Sequence, residues 1–339
     1  MITANPGGTV CIGADIDTLD LGRIAPSSVV TIRPDGPPLS RRIGTLICNP
    51  ACNRLAFENL RFGGTPTARR PANAVFICCS VTTSLRFTGV DVGWTSQDQA
   101  ADEGYGFRIY AGGGSNRIGG LVIERSRIHH TNCDAMQFDV SGAVVDRNEI
   151  SYIASLPGLD CHADSIQCMT CDGGSRFTGN YFHHIGYVDE SHNPAPSYPG
   201  GQWIWHDWGG VRNTGGALVE NNLMRECRNY CIAWGRGLSN VTLRRNTIIR
   251  GGTAFGSTAP STNWNGSAPA GGGNLVDSNI IDRRSHHAGV TEQNNVWINQ
   301  AGSGSNIQHP VTFDANYSPT NLPSYHAGAG YRKPSGAPW

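Results

Sequence analysis

Two short stretches carry the side chains best suited to chemistry. Asn132-Cys133-Asp134-Ala135-Met136-Gln137 returns thirty positions later as His162-Ala163-Asp164-Ser165-Ile166-Gln167, each with a carboxylate and an amide around one apolar anchor. A close aspartate pair can coordinate a cation such as calcium, share one proton, or divide the work of acid and base. The bland alternative is a ladder of aspartates bonding turn amides. His162, with an unperturbed imidazole pKa of about 6.5, needs little tuning to accept a proton near neutrality. Arg108 and Arg236 can neutralise an anionic substrate group. The chain's single lysine, Lys333, lies near its end, so no lysine base is available among the central residues.

The surroundings suit a sugar polymer. Seven of the eleven histidines fall between His129 and His206, and Trp203, Trp205 and Trp208 cluster in one insertion, with Trp234 further on. Aromatic rings complement the apolar faces of sugars, while acids, amides and arginines complement hydroxyls and carboxylates. The expected substrate-binding set is Gln137, Gln167, Asp160, Trp203, Trp205, His206, Asp207 and Trp234, with Asp134 and Asp164 as the expected metal pair. The alternative for the tryptophans is packing of the insertion onto the body of the protein.

What must position these groups is a repeat. Eight segments place apolar residues at i and i+5: Phe57/Phe62, Phe87/Val92, Ile123/Ile128, Val145/Ile150, Phe177/Phe182, Val219/Met224, Leu243/Ile248 and Val276/Ile281. The i+3 position becomes an asparagine column at Asn148, Asn180, Asn222, Asn246 and Asn279, as expected of turn residues that bond backbone groups and tolerate the left-handed conformation. A unit of about 22 residues with variable insertions cannot bury its apolar side chains alone; copies must stack. The expectation is an all-β, right-handed parallel β-helix over residues 54–298, with an irregular first coil and cap at 1–53 and a tail or cap at 299–339. Alternation turns Gln137 and Gln167 outward. Strict alternation would turn Asp134 and Asp164 inward, and a bend at the strand entry would leave them on the groove side, about 5 Å apart on successive coils.

Composition narrows the remaining choices. Formal net charge is zero, which implies no general attraction to nucleic acid or membrane surfaces, and no apolar run is long enough to span a bilayer. No charged and apolar leader follows Met1, which suits a mature fragment or a particle protein. Eleven cysteines point to an oxidising location, with Cys48/Cys52, Cys168/Cys171 and Cys227/Cys231 as candidate small-loop bridges and an odd thiol left over. Core filling by Cys133, Cys161 and Cys231 is the alternative; zinc is disfavoured because the pairs are scattered along the chain.

These motifs resemble known β-helix groups. Asn132-Cys133-Asp134-Ala135-Met136 with Asp164-Ser165-Ile166 resembles the paired aspartate motifs of polygalacturonase-type hydrolases, which implies catalytic roles for Asp134 and Asp164; Ala163 replaces that family's third acid. Asp160-Cys161-His162 resembles the Asp-Pro-His motif of alginate C5-epimerases, which share a first step with alginate lyases, and implies a catalytic His162 supported by Asp160. The chain as a whole resembles the pectate-lyase-like β-helix superfamily. The resulting expectation is an extracellular protein that cleaves a uronate-containing glycan by β-elimination. Hydrolysis through Asp134/Asp164 is the alternative. A further alternative is a phage-type spike binding host glycan at a particle surface, which would be a homotrimer rather than a monomer.

Overall fold

The structure, a computed structural model, describes residues 7–49, 51–64, 73–78, 83–94, 104–111, 118–155, 163–187, 191, 205–206, 215–225, 231–234, 239–249, 261–264, 272–284, 290–299 and 302–337. Of residues 23, 51, 83, 205, 206, 233, 234, 261–264, 283 and 284 it describes the backbone alone.

The chain winds into a right-handed parallel β-helix with three faces. The first sheet stacks strands such as Leu55–Glu58, Thr83–Thr88, Ile118–Glu124, Val144–Asp146, Arg176–Thr178, Leu218–Glu220 and Thr242–Arg244, each parallel to the next. The second stacks Asp91–Gly93, Arg127–His129, Glu149–Ser151, Tyr181–His183 and Leu223–Arg225. The third stacks Arg42–Cys48, Asn73–Cys78, Tyr105–Tyr110, Met136–Ser141, Gln167–Asp172 and Trp205–His206. All sixteen i/i+5 anchors are buried, most of them completely. Equivalent anchors stack between coils, with the Phe57 and Phe87 ring centroids 5.0 Å apart and their planes nearly parallel. A coil's apolar residues therefore meet only the coils above and below, which is why the unit needs copies.

The asparagine column closes the turn between the first and second sheets. Each buried side-chain amide donates to the next carbonyl oxygen in line, from Asn148 through Asn180, Asn222, Asn246 and Asn279 at 2.9 to 3.0 Å, and the column continues to Asn295 and Asn306. One detail differs from expectation: the left-handed residue is the one before the ladder asparagine, namely Arg147, Gly179, Asn221, Arg245, Ser278 and Asn294, and Arg125 takes the same position before Ser126. The ladder asparagines serve as amide donors and acceptors instead.

The stacking extends beyond the expected 54–298. Thr9–Ile12 pairs with Val30–Pro34, which pairs with Leu55–Glu58, and Val296–Trp297 pairs with Ile307–Gln308. The tail then runs back along the turn between the first and second sheets. Gly330 N–H donates to Ser278 O, Tyr331 N–H to Thr247 Oγ1, and Arg332 N–H to Asn221 Oδ1, while Arg147 Nη1 reaches Ser335 O.

Cys48–Cys52 and Cys168–Cys171 form disulfides, and Cys78, Cys133 and Cys231 are disulfide-bonded too. Cys133 and Cys231 are thus buried half-cystines rather than the thiol core fillers that were the alternative. Cys227 and Cys161 lie outside the described residues. Among the described residues, Cys11 is a free, exposed thiol.

Candidate functional site

The outer face of the third sheet carries a column set by register: Arg108 pairs with Gln137, Gln137 with Gln167, and Gln167 with Trp205. Their neighbours Phe107, Met136, Phe138 and Ile166 point inward and are buried, so the expected parity holds. Arg108 Nε donates to Gln137 Oε1 at 3.2 Å, and Gln137 Nε2 donates to Gln167 Oε1 at 2.7 Å and to Asp134 Oδ2 at 3.3 Å. This fixes the orientation of the Gln137 amide, because its oxygen is taken by the guanidinium. The guanidinium also lies 4.6 Å from the centroid of the Tyr105 ring. No carboxylate among the described residues forms an ion pair with Arg108.

The amides differ in access. Gln137 is half-buried, whereas Gln167 is only 7 % exposed and does not border open solvent as expected. Outward parity does not ensure exposure when neighbouring coils flank the side chain on both sides, here Gln137 and the strand Trp205–His206. The strand that begins at Gln167 is further held by the Cys168–Cys171 disulfide, which brackets a bulge: Phe138 pairs with Cys168, but Asp139 pairs with Thr170.

The two aspartates converge on adjacent coils but are sealed, each 2 % exposed. Asp164 N–H donates to Asp134 Oδ1 at 3.0 Å, and Ala135 N–H donates to Asp164 O at 2.8 Å. The carboxylate of Asp134 therefore ties the entry of one strand to the entry of the next. Burial first, and the facing charge of Asp164 second, push the Asp134 carboxyl well above its ordinary range, against the pull of hydrogen bonds and of Arg108. Calcium takes six or more oxygen ligands, more than the two carboxylates supply by themselves. Both Asp134 oxygens are engaged by protein donors, and the described residues hold no group of three or more metal-binding side chains.

Four of the clustered histidines form a separate array at the end of the second sheet. His129 Nε2 lies 3.0 Å from Asp91 Oδ1 and its Nδ1 lies 2.8 Å from His130 Nδ1; His183 Nε2 lies 3.1 Å from Glu149 Oε1 and its Nδ1 lies 2.6 Å from His184 Nδ1. Tyr152 stacks between His130 and His184, at 4.6 and 4.8 Å. Burial works against the ionised forms of Asp91 and Glu149, yet the histidine hydrogen bonds and neighbouring positive charges hold both carboxyls below their ordinary values. The sequence could not separate this array from the third-sheet site, because each acid comes from a coil more than thirty residues away.

His162, Asp160, Arg236, Trp203 and Asp207 lie outside the described residues. Trp205, His206 and Trp234 are described as strand positions only. Trp205 continues the Arg108–Gln137–Gln167 column, and Trp234 pairs in register with Trp264, a residue not singled out from the sequence. Tyr105, beneath Arg108, was also missed. Alternation gave no signal for it, because three residues' separation places Tyr105 on the opposite parity from Arg108.

No protein-family model and no curated protein matches the sequence. Among solved structures, the chain is similar to the PL6 family alginate lyase AlyGC, in a mutant (TM-score 0.43, 12% identity, covering 96% of this chain and 54% of that one) and in a second structure (TM-score 0.37, 12% identity, 95% and 53%). It is also similar to the Dettilon tailspike protein, with TM-score 0.42 and 14% identity over 88% of this chain and 59% of that one. The chain spans little more than half the length of these structures. The stacked parallel sheets, buried anchors and asparagine ladder define a right-handed parallel β-helix.

Proposed function

We propose that this β-helix binds and cleaves a uronate-containing polysaccharide along the outer face of its third sheet, by β-elimination. The observation that carries the reading is Arg108: a guanidinium oriented by Gln137 and Tyr105 on the outer face and in no ion pair with a carboxylate of the described residues. Such a group suits the carboxylate of a uronate, whose charge must be neutralised before the proton at C5 can leave. In this scheme His162 removes that proton, the released electron pair forms the C4–C5 double bond, and the glycosidic oxygen departs with a proton from solvent. Asp134 and Asp164 act as positioning residues: their mutual bond through Asp164 N–H anchors the segment immediately following His162. Trp203, Trp205, His206, Asp207, Asp160, Trp234 and Arg236 are assigned to glycan contact on their residue chemistry. An extracellular or particle-surface setting is supported by the disulfides.

Hydrolysis has one observation in its favour, since a raised Asp134 carboxyl beside Asp164 can divide into one protonated and one ionised group. Against it, Asp134 is sealed and its oxygens are used within the protein. The deciding experiment incubates the protein with uronate and neutral polysaccharides and follows both ultraviolet absorbance of unsaturated uronate ends and reducing ends. Elimination yields both signals, and His162→Ala abolishes them. Reducing ends without absorbance, lost in both Asp134→Asn and Asp164→Asn but not in His162→Ala, would replace it by hydrolysis. Binding without either signal would leave a glycan-binding spike.

A further inference from the structure

A second surface lies on the opposite corner of the helix, where the returning tail roofs the turn between the first and second sheets. A cleft of about 550 Å³ opens there, floored by the register neighbours Asp146, Thr178 and Glu220 and walled by Arg176, Arg245 and Arg332. Its acids are already matched. Asp146 accepts from Arg147 Nε and from the Thr178 hydroxyl, both at 2.6 Å. Glu220 is bridged by Arg244 through two bonds of 2.7 and 3.1 Å, with Arg245 Nη1 at 3.4 Å from the same carboxylate. Arg332 spends its guanidinium on backbone carbonyls of the tail, which neutralise none of its charge. The guanidinium of Arg176, exposed at the rim, has no hydrogen bond or ion pair with the described residues. The lining thus sets three guanidinium groups, of Arg176, Arg245 and Arg332, against two carboxylates that already accept from arginine, which leaves one positive charge in excess.

The walls are built rather than incidental. Asn221 and Arg332 exchange side-chain-to-backbone bonds in both directions at 2.7 Å, which fastens the tail across the cleft. Gly179 occupies the left-handed position of the turn, and a Cβ there would stand 3.0 Å from Pro334 Cγ, so the bare backbone lets the tail settle close. The floor crosses three coils, about 10 Å along the helix axis at the usual strand spacing. That length, the Thr178 hydroxyl on the floor and the excess guanidinium charge of the walls match a short acidic oligosaccharide lying along the axis.

We infer that this cleft is an accessory binding site for a carboxylate-bearing oligosaccharide, with Arg176 and Arg245 as its carboxylate ligands. The choice of a uronate rests on the reading of the third-sheet site; the cleft itself does not. It would hold a second segment of polymer on the far side of the molecule from the groove.

The test uses full-length Arg108→Ala protein, so that the groove contributes little, titrated calorimetrically with a hexuronate tetrasaccharide and with a neutral tetrasaccharide. The acidic ligand should bind, more weakly as salt rises, and the neutral one should not. Adding Arg176→Glu should weaken that binding about tenfold or more, the scale of one charge-assisted hydrogen bond. Arg176→Gln supplies the same comparison if the glutamate variant folds poorly, with circular dichroism as the check. Absence of acidic-ligand binding to Arg108→Ala, equal binding of both sugars, or binding unchanged by Arg176 substitution would each overturn the inference. Turnover by the wild type is read separately. A protein that cleaves nothing but shows Arg176-dependent binding retains this site and loses the proposed reaction, while a protein that cleaves uronate polymer but binds nothing in the Arg108→Ala form does the reverse.

Discussion

The two corners that flank the second sheet obey different rules. At one, between the first and second sheets, the turn repeats coil after coil, and its asparagines are wholly buried, each bonded to the next and to a backbone carbonyl of the first-sheet strand in the preceding coil. At the other, between the second and third sheets, consecutive coils insert segments of different length, and histidines, aspartates and tryptophans gather on or beside them. A buried amide ladder admits one spacing and one residue type, because any change leaves donors and acceptors unmatched away from water. A corner that only has to deliver the chain to the next strand can lengthen freely. Coil geometry is thereby held on one side while the other side is open to change.

The contrast can be broken in order of expected effect. Asn180→Ala removes the acceptor for the Asn148 N–H and the donor to Val145 O; it should lower unfolding free energy by about 4 kcal/mol, measured by denaturant titration. A loss below about 1 kcal/mol would mean the ladder is decoration. Arg108→Ala, across the molecule, should reduce kcat/KM on uronate polymer about a hundredfold while the denaturation midpoint hardly moves. If stability falls as much as turnover, Arg108 belongs to the framework instead.

Asp134→Asn sharpens the comparison through pH. Because burial raises the folded-state pKa of Asp134, the folded protein binds that proton more tightly than the unfolded chain does. The group's contribution is therefore full below the ordinary aspartate range and is lost as pH rises through the raised value. The asparagine variant should match or exceed the wild type in stability at neutral pH and lose its advantage in acid, with the crossover read from thermal midpoints across pH. The smallest effect is expected at Glu149→Gln, about 1 kcal/mol or less. Glu149 has a lowered folded-state pKa, so its stabilisation is present above the ordinary glutamate range and disappears as pH falls through the lowered value. The wild type and the variant should converge in acid.

The same contrast explains what was legible in the sequence. The anchors and the asparagine column could be read because stacking imposes one residue type at a fixed offset. The left-handed positions could not: Arg125, Arg147 and Arg245 fill them without the glycine that usually advertises such a backbone. Parity correctly turned Gln137 outward, since alternation is a property of the strand itself. It said nothing of the burial of Gln167, Asp134 and Asp164, which depends on what neighbouring coils lay over them. The histidine cluster misled by proximity in sequence. His129 and His183 answer to Asp91 and Glu149 on the preceding and intervening coils, a relation visible only once the register is known.

The returning tail has a kinetic consequence. Coils can stack in the order of synthesis, each on its predecessor, but residues 327–335 bind turns made long before them: Ser278, Thr247, Asn221 and finally Arg147. A solenoid without such a strap can unravel from its last coil inward, one small barrier at a time. Here the last coils cannot peel away until several widely spaced bonds along the strap have opened, so fraying is converted into a more concerted event and the lifetime of the folded state is lengthened even if its equilibrium stability changes little.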